Sequence, residues 1–298
     1  MRRKHLLTAV LLDVTVGDLP NRCHPVAWMG TAIYWLREHA PQRGKFVYGG
    51  LIVWGGAVVV WVSTTLVIRV IEHLPPPLST VMQAWLLKTT FSLQGLNNAA
   101  QEVETALHND DIVEARRLLS WHLVSRDTST LNPSQVAAAA IESIAENTSD
   151  GVIAPLFWYG IGGLPAAMTY RYLQTCDSIL GYRDAEREWL GKISARTDDV
   201  LNLIPARITG VLLVLARPRA WHIWRRDAHL TASPNAGHPM SAMAGALDVE
   251  LEKVDHYRLN ANAPAPQTDD IRRSRHWMLV VVGMFVGLLL LMMRNSDD

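Results

Sequence analysis

The chain has 298 residues, of which 49% are hydrophobic and 19% are charged, and its 28 basic residues balance 28 acidic ones. A formal net charge of zero argues against nucleic acid as a partner, because proteins that bind nucleic acid present an excess of positive charge. The two cysteines, Cys23 and Cys176, exclude a disulfide framework and lack metal-ligand spacing, so we expect unpaired thiols in reducing surroundings.

Two long uncharged runs indicate membrane-spanning helices. Residues 46–68 carry no charged side chain, and a helix of this length crosses a hydrocarbon layer of about 30 Å. Residues 277–293 form a second apolar run, with Trp277 and Arg294 as interfacial anchors at its ends. We predict that each run spans the membrane once.

Three further apolar runs are ambiguous, because each contains residues that disturb a spanning helix. The run 79–96 carries Lys88, the run 151–170 is interrupted by glycines and a proline, and the run 200–216 carries a proline and Arg207. Each run is therefore a span, a re-entrant segment or a helix buried against its neighbours.

Basic residues set the predicted orientation of the chain. The connection 71–78 contains no Lys or Arg, whereas the segment 217–276 is rich in arginine. By the positive-inside rule the longer segment is cytoplasmic and the short connection faces outward. Residues 97–139 have helical periodicity, and residues 260–270 form a polar, proline-containing linker before the last span.

These patterns predict an all-α fold, in which a polytopic integral membrane protein forms its functional site from cytoplasmic helices and loops. We treat residues 1–298 as a single integral membrane domain. Within it we expect a motif-bearing region at 11–250, a linker at 251–276 and a C-terminal transmembrane helix at 277–293.

A row of three acids precedes the run 151–170. Glu142, Glu146 and Asp150 are spaced by four residues, so they share one face of a helix and repel one another. No Lys or Arg is interleaved with them. An exposed acidic stripe that ends in a turn is one interpretation, and Mg²⁺ held by these oxygen ligands is the functional one.

A second polar cluster opens the run 200–216. Asp198, Asp199 and Asn202 lie within one helical turn, and Arg196 and Arg207 flank them. Carboxylates on a metal ion and guanidinium groups on phosphate oxygens suit a metal-bridged phosphate. The alternative is a helix N-terminus at which the dipole favours acids.

The two acidic clusters lie on either side of apolar runs and must converge to form one site. A single crossing by the run 151–170 or by the run 200–216 would separate the clusters by about 30 Å of hydrocarbon. We therefore predict that both runs are re-entrant or buried helices. The runs 46–68 and 79–96 would then form an outward hairpin.

Several polar segments recur in an order that is typical of one protein family. In chain order they are GDLPNRCHPVAWMG, SRDT, AIESIAENTSDGVIAPLFWYGIGGLPAAMTYR, TCDSILGYR, ARTDDVLNLIPAR and SPNAGHPMSAMAGAL. This series, which extends from about residue 11 to about residue 250, resembles the CobD/CbiB family of cobalamin biosynthesis, the adenosylcobinamide-phosphate synthases. The combination of ENxxDGxxAPLF with SPNAG is far more specific than a single glycine motif.

The resemblance implies an amide ligase. Its substrates would be the corrinoid adenosylcobyric acid and (R)-1-amino-2-propanol or its phosphate, with ATP as co-substrate and Mg²⁺ as cofactor, through an acyl phosphate. It also implies a multi-pass protein of the bacterial inner (cytoplasmic) membrane, in contact with lipid, with its site facing the cytoplasm. Other enzymes of the cobalamin pathway are possible partners, and the oligomeric state is left open. No Walker-type glycine loop is present in the sequence, so ATP would need an unfamiliar site.

Residue roles follow from the resemblance together with the two clusters. We expect catalytic roles for Glu142, Glu146, Asp150, Asp177 and Asp199. The expected metal ligands are Glu146, Asp150, Asp198 and Asp199. The expected substrate-binding residues are Arg126, Asp127, Asn147, Tyr182, Arg183, Arg196, Asn202, Arg207, Ser233, Asn235 and Gly237.

The sequence departs from the family pattern at a few positions, and two other functions stay open. Gln174 stands where Asn is usual, Cys176 replaces a larger apolar residue, and the segment after residue 250 lacks glycines. One alternative is a membrane Mg²⁺-dependent prenyl or phosphoryl transferase, since paired acids also bind diphosphates. The other is a non-enzymatic membrane sensor or transporter of the AmpE-like type.

Overall fold

A computed structural model describes residues 2–18, 20–181 and 188–294, and the described residues are almost entirely helical. The helices are α1 Arg2–Val16, α2 Pro25–Glu38, α3 Lys45–Gly50, α4 Gly56–Ile71, α5 Pro76–Lys88, α6 Leu93–His108, α7 Ile112–His122, α8 Pro133–Asn147, α9 Ala154–Leu180, α10 Lys192–Ala216, α11 Ala220–Asp227, α12 Gly237–Leu247 and α13 Thr268–Arg294. One short 3₁₀ turn, Asn21–Cys23, two π-helical turns, Leu51–Gly55 and Thr148–Ile153, and one hairpin of the strands β1 Leu251–Lys253 and β2 Tyr257–Leu259 complete the regular structure of the described residues.

Four helical stretches are long and apolar enough to cross a membrane. They are Lys45–Ile71, Pro133–Leu180, Lys192–Ala216 and Thr268–Met293. The prediction of an all-α, polytopic membrane protein is therefore confirmed. Both runs predicted to span the membrane, 46–68 and 277–293, lie within stretches of this set.

The prediction that the run 79–96 forms one arm of an outward hairpin is wrong, because this run forms two helices instead of one span. α5 ends at Lys88 and α6 begins at Leu93. The hydroxyl groups of Thr89 and Thr90 donate to the carbonyl oxygens of Leu86 and Leu87, each at 2.7 Å. These side-chain bonds satisfy carbonyls at the end of α5, where helical hydrogen bonding stops.

The two runs predicted to be re-entrant or buried are parts of long helices. The run 151–170 begins in the π-helical turn Thr148–Ile153 and continues into α9. α9 is mostly buried in the chain and is interrupted at Gly163, where φ is 70° and ψ is −160°. The run 200–216 belongs to α10, which is helical throughout and carries Pro205 in its interior. Only 39% of the most apolar window of α10 is buried, so the predicted burial of this run is not met.

The chain divides into two compact units, each built from separate stretches of sequence. The first unit consists of Met1–Ser92, Ala154–Asn202 and Leu289–Asp298. In it α1 packs on α5, and α2 and α4 pack on α9. The hydroxyl of Tyr172 donates to the carbonyl of Ile52 at 2.7 Å, within a π-helical turn over Leu51–Gly55. Such turns leave carbonyl groups available to other partners.

The second unit consists of Leu93–Ile153 and Leu203–Leu288. Its helices α6 and α7 pack together and on α8, and α12 packs on both α8 and α11. A capping box fixes the start of α8, because the side chain of Asn132 accepts from the backbone of Gln135 and the Gln135 side chain accepts in return.

The predicted linker 251–276 is not an unstructured linker in the structure. Leu251 and Leu259 face each other across the hairpin, and both are fully buried. The hairpin packs on α8, and α13 already begins at Thr268. Strands of three residues are too short to show an alternating pattern, so the periodicity of the sequence does not predict them.

Candidate functional site

The first acids of the row lie in a small cavity of the second unit. Glu142 is only 6% exposed, which excludes the interpretation of a solvated acidic stripe. The cavity has a volume of about 180 Å³. Its polar lining consists of Ser125, Arg126, Glu142, Ser143, Glu146, Lys253 and Tyr257. Three residues of the predicted site, Arg126, Glu142 and Glu146, therefore line one cavity, and their roles stay predictions.

Charges in this cavity are partly balanced. The guanidinium of Arg126 lies 3.8 Å from one carboxylate oxygen of Glu142. The hydroxyl of Tyr257 lies close to the same carboxylate and donates to Sδ of Met240 at 3.8 Å. Burial and the neighbouring Glu142 carboxylate raise the pKa of Tyr257 above its usual value, so its hydroxyl stays a donor at neutral pH. The Oε1 atom of Glu142 is buried without a hydrogen-bond partner among the described residues.

Two residues of this cavity were missed by the sequence analysis. Lys253 and Tyr257 come from β1 and β2, the hairpin that we had interpreted as a linker. The positive charge of Lys253 acts on both Glu142 and Glu146. The signal that existed was the pair of apolar residues, Leu251 and Leu259, flanking a turn at Asp255 with positive φ.

Two other predicted residues near the acid row are occupied by local hydrogen bonds. The exposed carboxylate of Asp127 accepts from the backbone and hydroxyl of Ser129 at 2.9 and 3.0 Å, which stabilises a turn. The amide of Asn147 donates to the carbonyl and hydroxyl oxygens of Ser143 at 2.9 and 3.1 Å. Asp150 lies in a π-helical turn, Thr148–Ile153, that follows α8.

A larger and more basic cavity lies elsewhere in the second unit. It has a volume of about 550 Å³ and lies in the size range of ligand pockets. Its polar lining consists of Arg207, Trp224, Arg225, His229, Thr231, Ser233 and His238. Arg207 and Ser233 were predicted substrate-binding residues, whereas the aromatic and histidine side chains were missed.

A hydrogen bond in the basic cavity determines the tautomer of His238. The indole N–H of Trp224 can only donate, and it lies 3.2 Å from Nδ1 of His238, so the proton of the neutral ring is on Nε2. Burial, and then the charge of Arg207, lower the pKa of His238 to about 4. His238 is therefore a neutral donor to a ligand at physiological pH.

Backbone geometry at SPNAG brings the chain close to itself. The Ser233 hydroxyl accepts from the backbone N–H groups of Asn235 and Ala236 at 3.2 and 3.3 Å, just before α12. A Cβ at Gly237 would lie 2.1 Å from the carbonyl oxygen of Ala228, so only glycine fits. Arg207 donates to Asn235 at 3.4 Å. Of the three predicted residues, Ser233 lines the basic cavity, whereas Asn235 and Gly237 contact the lining residues Arg207 and Ala228.

The third group of predicted residues lies in the first unit. Tyr170 donates to Asn202 at 2.8 Å, and Asn202 donates to Asp198 at 3.0 Å, which forms a buried hydrogen-bonded chain. The carboxylates of Asp177 and Asp199 interact electrostatically. Arg196 of α10 is exposed, and Tyr182 and Arg183 lie outside the described residues.

The predicted magnesium ligands do not form a ready-made cage. Among the described ranges of the chain, no group of three or more His, Cys, Asp or Glu side chains is arranged to hold a metal ion. Magnesium is usually held by one or two carboxylates together with substrate phosphates and water. In the second unit the unpartnered Oε1 of Glu142 fits that partial kind of site. In the first unit the carboxylates of Asp177 and Asp199 fit it separately, so the metal stays a prediction.

Comparisons with known proteins identify the family. A family model described as CobD/Cbib protein matches residues 6–278. The chain is 44% identical over 261 residues to a probable cobalamin biosynthesis protein CobD of Methanothermobacter thermautotrophicus, with 85% of each chain covered. It is 42% identical over 276 residues to the cobalamin biosynthesis protein CobD of Dehalococcoides mccartyi, covering 89% of this chain and 86% of that protein.

A third relative is the cobalamin biosynthesis protein CbiB of Salmonella typhimurium, which is 35% identical over 302 residues, with 95% of this chain and 94% of that protein covered. No solved structure matches the chain. The family model and these relatives cover nearly the whole chain, as the motif series indicated. The chain therefore belongs to the CobD/CbiB family.

Proposed function

We propose that this chain forms an amide bond in cobalamin biosynthesis, joining the carboxylate of adenosylcobyric acid to (R)-1-amino-2-propanol or its phosphate. The names of its relatives support the pathway. The observation that carries the chemistry is the small cavity in which Glu142, Glu146 and Tyr257 meet Arg126 and Lys253. We further propose that the reaction takes place at the cytoplasmic face of the bacterial inner membrane, where pathway enzymes can reach the corrinoid.

The size of the acidic cavity favours a small amine as its occupant. A volume of about 180 Å³ is below the range of pockets that hold a nucleotide or a corrinoid. An aminopropanol bears an ammonium group that the carboxylates of Glu142 and Glu146 attract. Its phosphate, when present, suits Arg126 and Lys253 on the same wall.

A carboxylate reacts with an amine only after one of its oxygens becomes a leaving group. In the proposed reaction a carboxylate oxygen attacks the terminal phosphorus of ATP, which gives an acyl phosphate and ADP. The ammonium gives one proton to the base, the amine nitrogen attacks the acyl carbon, and the carbon–oxygen bond to phosphate breaks. Phosphate leaves, and the nitrogen releases its second proton as the amide forms.

Glu142 is the proposed base for the ammonium proton. Its Oε1 has no hydrogen-bond partner among the described residues, so it is available to accept from a bound ammonium. Arg126 lies 3.8 Å from the other oxygen, Oε2, and Tyr257 lines the same cavity beside the carboxylate. Glu146 adds negative charge that retains the ammonium until the proton has moved.

The basic cavity is the proposed phosphate site for ATP. Arg207 and Arg225 supply positive charge, and neutral His238 supplies an Nε2–H donor. α12 connects the two cavities, because His238 lines the basic one and Met240, two residues later, lines the acidic one. Bound Mg²⁺ would neutralise phosphate charge, with carboxylate oxygens of the chain as part of its ligands.

The proposed activity is tested with purified protein in nanodiscs. Adenosylcobyric acid, ATP and Mg²⁺ are combined with aminopropanol or its phosphate, and the corrinoid mass is measured. We expect a mass gain equal to amide formation, lost in Glu142→Gln and kept in the control Glu114→Gln, whose side chain is exposed and paired with Arg117. A folded wild type that forms no amide from either amine would overturn the proposal.

The open alternatives gain less support from the structure. A diphosphate-dependent transferase would be favoured by clustered aspartates, and no such three-residue acidic group is present among the residues that the structure describes. A sensor or transporter leaves the buried Glu142, Tyr257 and Arg126 arrangement without a use. We therefore retain the ligase as the proposed function.

A further inference from the structure

A cavity of about 800 Å³ in the first unit contains none of the residues discussed so far as substrate or metal ligands. Its lining comes from the start of α1, the end of α4, the start of α5 and the middle of α9. The polar lining consists of Arg2, His5, Thr65, Arg69, Glu72, Ser79, Thr80, Gln83 and Tyr159. The cavity therefore joins four helices near the end of the span Lys45–Ile71.

The charge of this cavity is positive and unbalanced. Arg2 and Arg69 line it, and Glu72 is the one carboxylate in its described lining. Neither guanidinium forms an ion pair with any residue in the described part of the chain. α1 has no acidic residue in its first turn, and α5 starts at Pro76 without a side-chain cap. The positive ends of both helix dipoles add to the two arginines.

A buried histidine provides an independent indication of a ligand. His5 lines the cavity and is 8% exposed, yet it makes no hydrogen bond with the described residues. Its ring nitrogens are not among the fully buried polar atoms of the described residues, so they are open to the cavity. An anionic oxygen in the cavity can accept a hydrogen bond from the N–H group of this ring.

Arg2 is held in place by the break in α9. The hydroxyl of Tyr159 donates to the backbone carbonyl of Arg2 at 3.0 Å, and Tyr159 is itself 2% exposed. A Cβ at Gly163 would lie 3.3 Å from the Nη2 atom of Arg2, and this residue has a φ of 70° that favours glycine. The guanidinium therefore lies against the kinked backbone, in a position that is set before any ligand binds.

The surroundings of Arg69 indicate that the anion carries acyl chains. Arg69 is in the last turn of α4, beside Leu66, Val67 and Val70, which are 53%, 45% and 70% exposed. Exposed apolar residues on a candidate span face lipid, and an arginine at the end of a span lies at headgroup level. A molecule that contacts both Arg69 and the apolar face beside it needs an anionic headgroup and hydrocarbon chains.

We propose that this cavity binds the phosphate group of an anionic phospholipid between Arg2 and Arg69, with the acyl chains along the exposed face of α4. A lipid headgroup and free inorganic phosphate both present phosphate oxygens that the two guanidinium groups can bind. The adjacent apolar face of α4 favours the lipid over the free ion. Glu72 limits the affinity, because it is a like charge to the phosphate.

The proposal is tested by lipid retention, measured by native mass spectrometry of the full chain. Protein from nanodiscs of phosphatidylcholine with phosphatidylglycerol is compared with protein from phosphatidylcholine alone. We expect selective retention of phosphatidylglycerol, lowered about tenfold in Arg2→Gln and in Arg69→Gln, as for the loss of one charge-assisted bond. The matched control is Arg3→Gln, on the same helix but outside the cavity lining.

A second variant keeps the test independent of folding. Glu72→Gln removes the repulsive charge, so we expect stronger retention of phosphatidylglycerol, a gain that misfolding would not produce. A separate arm adds inorganic phosphate to protein in phosphatidylcholine nanodiscs. Equal retention of both lipids, equal effects of Arg3→Gln and Arg69→Gln, or phosphate binding without lipid selectivity would each overturn the proposal.

Discussion

The ammonium nitrogen of Lys88 lies 3.6 Å from a carboxylate oxygen of Asp13, and both side chains are almost completely buried in the first unit. Lys88 also bonds to Asp18, which accepts a further hydrogen bond from Ser92. These contacts link α1 and the loop after it to the end of α5, whose helices pack closely. Lys88, which interrupts an apolar run of the sequence, therefore forms ion pairs with two acids, Asp13 and Asp18.

Removal of Lys88 should therefore destabilise the first unit strongly. Lys88→Met leaves Asp13 buried without its cation, and breaking a buried pair from one side costs about 3 to 5 kcal/mol. We expect a large fall in the thermal unfolding midpoint of the detergent-purified protein. Lys4→Met, at an exposed position of α1, is the control, and an equal midpoint for both variants would contradict this prediction.

The base role of Glu142 predicts a specific kinetic pattern. Glu142→Gln keeps the shape of the side chain but removes the proton acceptor, so we expect kcat to fall by about 10² or more. Tyr257→Phe removes the polar hydroxyl beside the carboxylate and should reduce kcat by about tenfold. Rates are measured by corrinoid mass spectrometry. A fall in affinity for the amine with unchanged kcat in Glu142→Gln would indicate binding alone.

The close backbone approach at Gly237 predicts a strong effect of one methyl group. Gly237→Ala forces a Cβ against the carbonyl oxygen of Ala228, and we expect a loss of stability of about 1 to 3 kcal/mol with loss of ATP-dependent turnover. Gly283→Ala is the matched control, because a Cβ there meets no atom within 4 Å. Both variants are compared by unfolding midpoint and by activity.

The lowered pKa of His238 predicts how stability changes with pH. The ring takes up a proton near pH 4 in the folded chain, against about 6.5 in the unfolded chain. Between these values the unfolded state binds more protons, so the free energy of unfolding decreases as the pH falls from about 6.5 toward 4. His238→Gln, which can still accept from Trp224, should lose this part of the pH dependence. A ring pKa near 6.5 by NMR would contradict it.

The sequence predicted what depends on local periodicity. The run 46–68 lies within one helical stretch, Lys45–Ile71, as predicted. The four-residue spacing also placed Glu142 and Glu146 on one face, and both line the same cavity. The break after Lys88 was missed, because hydropathy does not record that Thr89 and Thr90 satisfy the last carbonyls. Apolar runs alone therefore overestimate the length of helices.

Contacts between residues that are distant along the chain could not be predicted from the sequence. Lys253 and Tyr257 join the acidic cavity only because a hairpin of three-residue strands folds onto α8. Trp224 and His238 are bonded because α11 packs on α12, and nothing in their separation along the chain indicates a pair. Tertiary packing determined both arrangements.

The position of α12 has a consequence for substrate binding. One short helix supplies His238 to the basic cavity and Met240 to the acidic cavity, and small residues pack its body against α8 and α11. A ligand that displaces this helix in one cavity changes the free energy of binding in the other. Thermodynamic linkage requires the effect to be reciprocal, so each substrate alters the affinity for the second by the same factor.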